Sequence, residues 1–232
     1  MSATQTEGAD GADRANQAGG AIGTNAPQES SGQILQCWSC KGPVSLGRSF
    51  CPTCQAIQPP SQTEHFAQMG LKPTFDVDLA QLEQNYFRLQ RTFHPDSFAA
   101  KSAKEQEYSL QHTTNLNDAL KTLKSPVLRA EYLLQFHGAA AAGELEKTVN
   151  DEAVLLEAME TREALAEAET PADVGAILTR ARDGILDCTS GLSAAFAEGD
   201  MAAAAALTLR LTYLFKLDDE AGQRARLLSR GA

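Results

Sequence analysis

An all-α fold is what this sequence predicts, and three kinds of observation carry the prediction. Apolar residues recur at helical spacing, as in Leu82, Tyr86, Leu89 and Phe93, or Ile177, Ala181, Ile185, Cys188 and Leu192. Helix-start signatures stand ahead of such runs: Asp78 with Gln81, Ser102 with Glu105, Ser125 with Pro126, and Thr170-Pro171 with Asp173. Helix-stopping residues close them at Pro95, Gly138 and Gly199. The chain divides into a tail over 1–35, a cysteine module over 36–58, a helical domain over 62–138 and a three-helix bundle over 144–232.

The tail is rich in Gly, Ala, Ser, Gln and Asn and has almost no large apolar side chain, so it is expected to be disordered. It lacks the apolar core of a secretory signal. Glu7, Asp10 and Asp13 are also unlike an Arg-rich, acid-poor mitochondrial presequence.

The module holds two C-x-x-C pairs, Cys37-Trp38-Ser39-Cys40 and Cys51-Pro52-Thr53-Cys54, separated by ten residues. Each pair forms a tight knuckle whose amides face the first sulfur, with Gly42 and Pro52 supplying turn geometry. Four thiolates and no open position describe a closed, structural site for which zinc fits best. The ligand set alone does not separate zinc from a mononuclear iron, and two disulfides, spare thiols or an iron–sulfur cluster are the other readings. Trp38, Val44, Leu46, Phe50 and Ile57 read as an apolar lid on the metal.

Next along the chain, His65-Phe66 to Leu71 reads as a short helix. A longer one runs from its Asp78 cap to Phe93 and stops because Pro95 lacks an amide and disfavours helix at His94, which leaves His94-Pro95-Asp96 in a loop. The Ser102/Glu105 capping box starts a second long helix with the face Leu110, Thr113, Leu116, Leu120 and Leu123, expected to pack antiparallel on the first. Ser125-Pro126 opens a helix over Val127 to Phe136, and Gly138 ends it.

In the last part, Asp151 to Glu169 is helical by composition, with Leu155, Leu156, Met159 and Leu165 on its apolar side and seven acids against the single base Arg162. Leu155 and Leu156 are adjacent and cannot both face inward on one narrow stripe. The Thr170-Pro171 helix carries the stripe from Ile177 to Ala195 or Phe196, Gly199-Asp200 turns the chain, and Met201 to about Arg230 completes a bundle.

Bulk properties narrow the function. The formal charge of -10 argues against a phosphate-tracking nucleic-acid binder, and no apolar run is long enough for a membrane span. Residues 62–138 carry 8 basic and 9 acidic side chains and residues 144–232 carry 9 and 17, so the acidity belongs to the second half. Four paired cysteines with Cys188 alone suit a reducing compartment with a bound metal, Cys188 packing as a small apolar residue. No nucleophile with a paired base, catalytic metal site or phosphate-cradling glycine loop is seen. The chain reads as an adaptor that binds no nucleotide, not as an enzyme.

A short helix, two long antiparallel helices joined by a loop holding His94-Pro95-Asp96, and a further helix together resemble a J-domain. Arg88 and Arg91 form a positive strip beside the loop, as in J-domains that engage DnaK-type chaperones. Thr114-Asn115-Leu116-Asn117-Asp118-Ala119 and Ser125-Pro126-Val127-Leu128-Arg129-Ala130-Glu131-Tyr132-Leu133-Leu134 narrow the likeness to the HscB family, J-type co-chaperones of iron–sulfur cluster biogenesis. The likeness covers about residues 62 to 232, and the cysteine quartet resembles the N-terminal extension of some eukaryotic members.

What the resemblance implies is specific. His94, Pro95, Asp96, Arg88 and Arg91 would dock on a DnaK/HscA-type, heat-shock-70-class chaperone and stimulate its ATPase. Leu155, Leu156, Met159, Glu160, Glu163 and Tyr213 would contact an IscU-type cluster scaffold, in a mitochondrion or cytoplasm. Thr92 and Ser97 depart from the family by removing positive charge near the loop, which bears on docking strength, and Tyr213 stands where many members have phenylalanine. Whether the metal module serves as a dimer surface, a sensor or a brace is open at this level, so a homodimer stays among the assemblies to test. The alternative function is a metal- or redox-sensing J-protein with a general client role.

Overall fold

The computed structural model describes residues 34–61, 64–138 and 152–230. The tail over 1–33, residues 62–63 and residues 144–151 of the expected bundle, Asp151 among them, lie outside the described residues. The expected tail boundary shifts slightly, because Ile34 and Leu35 already belong to a strand. β1 (Ile34–Gln36) pairs antiparallel with β2 (Pro43–Ser45), Leu35 opposite Val44, and this ribbon, with an isolated antiparallel bridge between Phe50 and Ile57, is the β structure in an otherwise all-α fold among the described residues.

The helices follow the local signals closely. α1 (His65–Gln68) is shorter than expected because Gly70, at φ 66°, turns the chain so that the Leu71 amide reaches the Phe66 carbonyl. α2 (Leu79–Phe93) is capped by the Asp78 carboxylate, which accepts from the Ala80 and Gln81 amides. A 3-10 turn (Pro95–Phe98) follows, and α3 (Ala103–Lys124) starts at the Ser102/Glu105 capping box. α4 (Pro126–Phe136) begins with its Ser125 cap and Pro126 at the first turn. α5 (Glu152–Glu167), α6 (Pro171–Glu198) and α7 (Met201–Arg230) complete the chain, with Thr170/Asp173 capping α6 and Gly199 ending it in the left-handed conformation, φ 77°.

α2 and α3 are antiparallel: Ser109 near the start of α3 bonds the Phe93 carbonyl at the end of α2, while Lys124 at the end of α3 pairs with Glu83 near the start of α2. The buried face of α3 is Ser109, His112, Leu116, Ala119 and Leu123, and Leu110, expected in the core, is exposed. α6 and α7 approach closely because a Cβ on Gly184 would meet Leu214 at 3.1 Å and one on Gly191 would meet Leu207 at 3.0 Å. One core runs through Ile57 of the cysteine module, Phe66, Leu82, Phe93 and Leu134 of the first helices, and Cys188, Leu192 and Leu211 of α6 and α7. A second cluster, Leu165, Val174, Ile177, Leu217 and Ala221, seats α5 on α6 and α7.

The segment before α2 ties the two helical parts together. Phe75 stacks on Phe196 with centroids 5.7 Å apart, and Ser193 of α6 donates to the Asp76 carboxylate. Arg129 is buried. It lays its guanidinium over the Phe75 ring at 4.9 Å and donates to the Leu123 carbonyl at 2.8 Å, with Asp76 supplying the opposing charge.

Candidate metal centre and partner surfaces

The two cysteine knuckles are near copies of each other. In the first, the Lys41 amide donates to the Cys37 carbonyl at 3.0 Å and the Cys37 amide to the Gly42 carbonyl at 2.9 Å. In the second, Gln55 donates to Cys51 at 3.0 Å and Cys51 to Ala56 at 3.0 Å. Lys41 and Gln55 occupy the left-handed region, φ 62° and 60°, a conformation that costs an ordinary side chain roughly 1–2 kcal/mol. The same strain at the same place in both knuckles belongs to the ligand geometry. It aims the Ser39 amide at the Cys37 sulfur and the Gly42 amide at the Cys40 sulfur, both at 3.4 Å.

All four Sγ atoms lie within 4.8 Å of one another, and the Cys37–Cys54 and Cys40–Cys51 pairs are 3.7 Å apart. A tetrahedron of sulfurs about 2.3 Å from a central ion has edges of about 3.8 Å. A disulfide would hold its sulfurs at about 2.05 Å, and all five cysteines of the chain are free. The residues present therefore fit a tetrahedral four-thiolate ion. Burial works against ionising Cys37, yet the Cys40 and Ser39 amides, Gln58 and Cys54 together bring its thiol down to about 6. The Cys54 amide leads the lowering of Cys51, against burial. At Cys40 the Gly42 amide favours the thiolate, but Cys54, burial and the other sulfurs outweigh it and push the thiol up to about 11. Four sulfurs this close cannot all carry charge without a cation among them.

The apolar residues of this module divide differently from the expected lid. Val44 packs with Cys37 and Cys51, Leu46 is exposed, and Trp38, Phe50 and Ile57 face the helical domain. The Trp38 indole donates to the Ile57 carbonyl at 2.7 Å, its ring meets the edge of Tyr108, and Lys104 sits 5.2 Å from its centroid.

His94-Pro95-Asp96 stands at the turn between α2 and α3. His94 has ψ 130°, outside the helical region as proline requires, and its Nδ1 accepts from the Asp96 amide at 3.2 Å. The Asp96 side chain is 93% exposed and lies 3.6 Å from His94 Nδ1. Phe93 and Phe98 anchor the turn from both sides, both buried, and the Phe93 carbonyl accepts from the Ser109 and Thr113 hydroxyls. Arg88 and Arg91 are exposed on α2, so all five residues expected to dock a chaperone lie on one exposed helix-and-turn segment.

On α5 the adjacent leucines resolve in an unexpected way, because neither faces inward. Leu155, Leu156 and Met159 are 40%, 55% and 71% exposed, and helical spacing puts them on one outward stripe with Glu160 and Glu163. Val154, Leu165 and Ala168 make the buried side. Tyr213 is not on that stripe. It is half-buried in a cleft between α5 and α7, lined also by Val154, Ala158 and Thr161, with the Lys216 ammonium 5.6 Å from its ring. Phe215, two residues on, is the exposed aromatic there.

Two ion pairs fasten α5 to α7. Arg210 grips Glu157 through Nε and Nη2, each at 2.8 Å, and Arg162 meets Glu220 at 3.1 Å. The Arg210 hydrogen bonds hold the Glu157 carboxyl below its ordinary value. Arg210 Nη1 also lies 3.9 Å from Cys188 Sγ, whose thiol burial pushes up, so Cys188 is the small core residue expected.

Sequence reasoning missed Gln58 and His112. Gln58 Nε2 donates to Cys37 Sγ at 3.4 Å, and its carbonyl accepts from His112 Nε2 at 3.0 Å. A signal existed: Ser109, His112, Leu116, Ala119 and Leu123 are spaced three and four apart, but the two polar members deflected the reading to Leu110 and Thr113.

Comparison with known proteins bears on all of this. Residues 150–222 match the family model for the HSCB C-terminal oligomerisation domain. The chain is 34% identical over 203 residues to the human iron-sulfur cluster co-chaperone protein HscB, covering 86% of each protein. It is 37% identical over 163 residues to the co-chaperone protein HscB homolog of Shewanella oneidensis, covering 67% of this chain and 93% of that one. The crystal structure of human co-chaperone protein HscB superposes with a TM-score of 0.77 at 35% identity, covering 82% of this chain and 98% of the other.

Proposed function

Because this chain belongs to the HscB family of iron–sulfur cluster co-chaperones, we propose that it holds an IscU-type scaffold on its C-terminal helices while its J-domain switches on the ATPase of a heat-shock-70-class chaperone. The observation that carries this reading is the exposed His94-Pro95-Asp96 turn on a rigid base, flanked by exposed Arg88 and Arg91. The polar tip offers directional hydrogen bonds and the arginines offer charge steering toward an acidic partner surface.

The outward stripe of Leu155, Leu156 and Met159, rimmed by Glu160 and Glu163, supports the scaffold half. Apolar side chains at this exposure keep much of their surface open to water, and burying it on another protein is favourable. Tyr213 contributes through the cleft beneath α5 and not as a member of the stripe. Tethering the scaffold raises its effective concentration at the chaperone's peptide site, and turn docking favours the hydrolysis-competent conformation by differential binding. The ATP chemistry resides in the chaperone. The compartment is a mitochondrion or the cytoplasm, in keeping with relatives from human, mouse, plant and bacterial sources.

The cysteine quartet is assigned a structural zinc ion, bound by Cys37, Cys40, Cys51 and Cys54. Exposure of Cys40 and Cys54 supports the second reading, a metal- or redox-sensing J-protein with general clients. Alanine at Leu155, Leu156 and Met159 separates the two, since a general client chaperone keeps its binding without that stripe. For the main reading, Asp96→Ala abolishes ATPase stimulation in a single-turnover assay and leaves scaffold binding intact. Stimulation equal to that of the unaltered chain refutes docking through the turn.

A further inference from the structure

The cysteine module and the chaperone-facing turn share a residue. Phe93, directly before His94, lies parallel to two rings: Phe50 of the module at 5.7 Å and 2°, and His112 of α3 at 4.2 Å and 5°. Both rings answer to the module. Phe50 is bridged to Ile57, whose neighbour Gln58 receives the His112 Nε2–H on its carbonyl and donates its own side-chain amide to Cys37 Sγ. The path from ligand sulfur to turn is therefore continuous: Cys37, Gln58, His112, Phe93, His94.

We infer that the ion held by the cysteine quartet positions the His94-Pro95-Asp96 turn through Gln58, His112 and Phe93, so that metal loading sets how strongly the chain activates its chaperone. This rests on the J-domain reading above. With the ion bound, Cys37 is an anionic acceptor, and its hydrogen bond from Gln58 orients both the sulfur and the glutamine. The same side-chain amide also donates to the Ala56 carbonyl at 2.8 Å and the Gln58 backbone amide to the Ser49 carbonyl at 2.8 Å, so the gathered module fixes the Gln58 backbone carbonyl under His112 and holds the imidazole flat on Phe93. Without the ion the sulfurs lose the centre that gathers them, and Gln58 and Phe50 are released together. His112 is buried, so its ring nitrogen is then left without a partner and the ring moves to find water. Phe93 loses the support of both rings, and the turn begins at the next residue. The α5 stripe has no place in this path, so scaffold capture is independent of the ion.

The test uses the full-length chain, zinc-loaded and chelator-stripped. Trp38 is the single tryptophan and packs between the knuckle and α3, so its emission reports whether the module stays seated. Stripping is expected to shift that emission and to speed amide exchange at Ser97 and Ala99, which bond within the turn, by about fivefold or more, the effect of losing one buried hydrogen bond. Chaperone stimulation falls by a similar factor while scaffold affinity holds. His112→Phe keeps a ring on Phe93 but cannot reach the Gln58 carbonyl. In that variant, turn exchange is already fast when zinc is bound and responds little to stripping. Turn exchange identical in loaded and stripped protein, with or without a shift in Trp38 emission, overturns the inference. If exchange responds but even the loaded chain fails to stimulate the chaperone, the coupling stands and the chaperone reading falls.

Discussion

Two exposed surfaces of this chain, each proposed to meet a partner, are built in opposite ways. The turn at His94 is polar at its tip and stiff beneath, with Phe93 and Phe98 buried on either side and the Phe93 carbonyl held by two hydroxyls of α3. The α5 surface is apolar at its tip and lightly fastened, a helix seated by Val154, Leu165 and Ala168 and by ion pairs to α7. A polar tip works only if its donors and acceptors are held in place, because a misaligned hydrogen bond loses most of its worth. An apolar stripe gains by area, which tolerates a helix that tilts to fit. The first surface invests in its frame and the second in its side chains.

The sharpest way to break that comparison is to damage the frame alone. Arg129 lies far from both tips in sequence, yet it braces the end of α3 through the Leu123 carbonyl and supports Phe75, which stacks on α6. Arg129→Ala removes a charge-assisted hydrogen bond and the packing of a buried guanidinium, and is expected to lower unfolding free energy by about 2–3 kcal/mol. Urea denaturation followed by circular dichroism measures it. A change within about 0.5 kcal/mol, the range of an ordinary surface site, would show that Arg129 is no brace.

The second way leaves the frame whole and removes an exposed surface. Leu156→Ala with Met159→Ala should leave the urea midpoint nearly unchanged, since both side chains are exposed, while weakening scaffold binding by about tenfold to a hundredfold. Calorimetric titration with the scaffold reads the affinity. A large loss of stability with little loss of affinity would reverse the roles assigned here to the outer and inner sides of α5.

Much of this was legible in the sequence, and the reason lies in range. Asp78, Ser102, Ser125 and Thr170 act on amides two or three residues away, so each cap could be read from its own neighbourhood and each is in place. Pro95 kept His94 out of the helix by the same local logic. The cysteine spacing likewise fixed two knuckles. What escaped depends on contacts far apart in sequence. His112 looks like a polar residue on an otherwise apolar face until Gln58, 54 positions earlier, supplies its acceptor. Leu155 and Leu156 showed that one of them must point outward, but only the placement of α7 turned both away from the core. Tyr213 was grouped with the stripe by resemblance, whereas its own helix directs it into the cleft behind α5.

The smallest effect tests how lightly α5 is fastened. Arg210 holds the Glu157 carboxyl below its ordinary value, so the folded chain binds that proton less readily than the unfolded chain does. The stability the pair contributes is therefore fully present above the ordinary glutamate range and is lost as pH falls through the depressed folded value. Both side chains are partly open to water, 34% for Arg210 and 45% for Glu157, so the contribution is screened to about 0.5–1 kcal/mol. Glu157→Gln should remove it near neutral pH and flatten the acid side of the stability profile. Because α5 keeps its apolar seat, the loss is expected to appear first as faster amide exchange along α5, with α6 and α7 unaffected. Exchange that quickens equally in all three helices would mean that α5 is an integral layer of the bundle, and the contrast between a stiff frame and an adaptable one would fail.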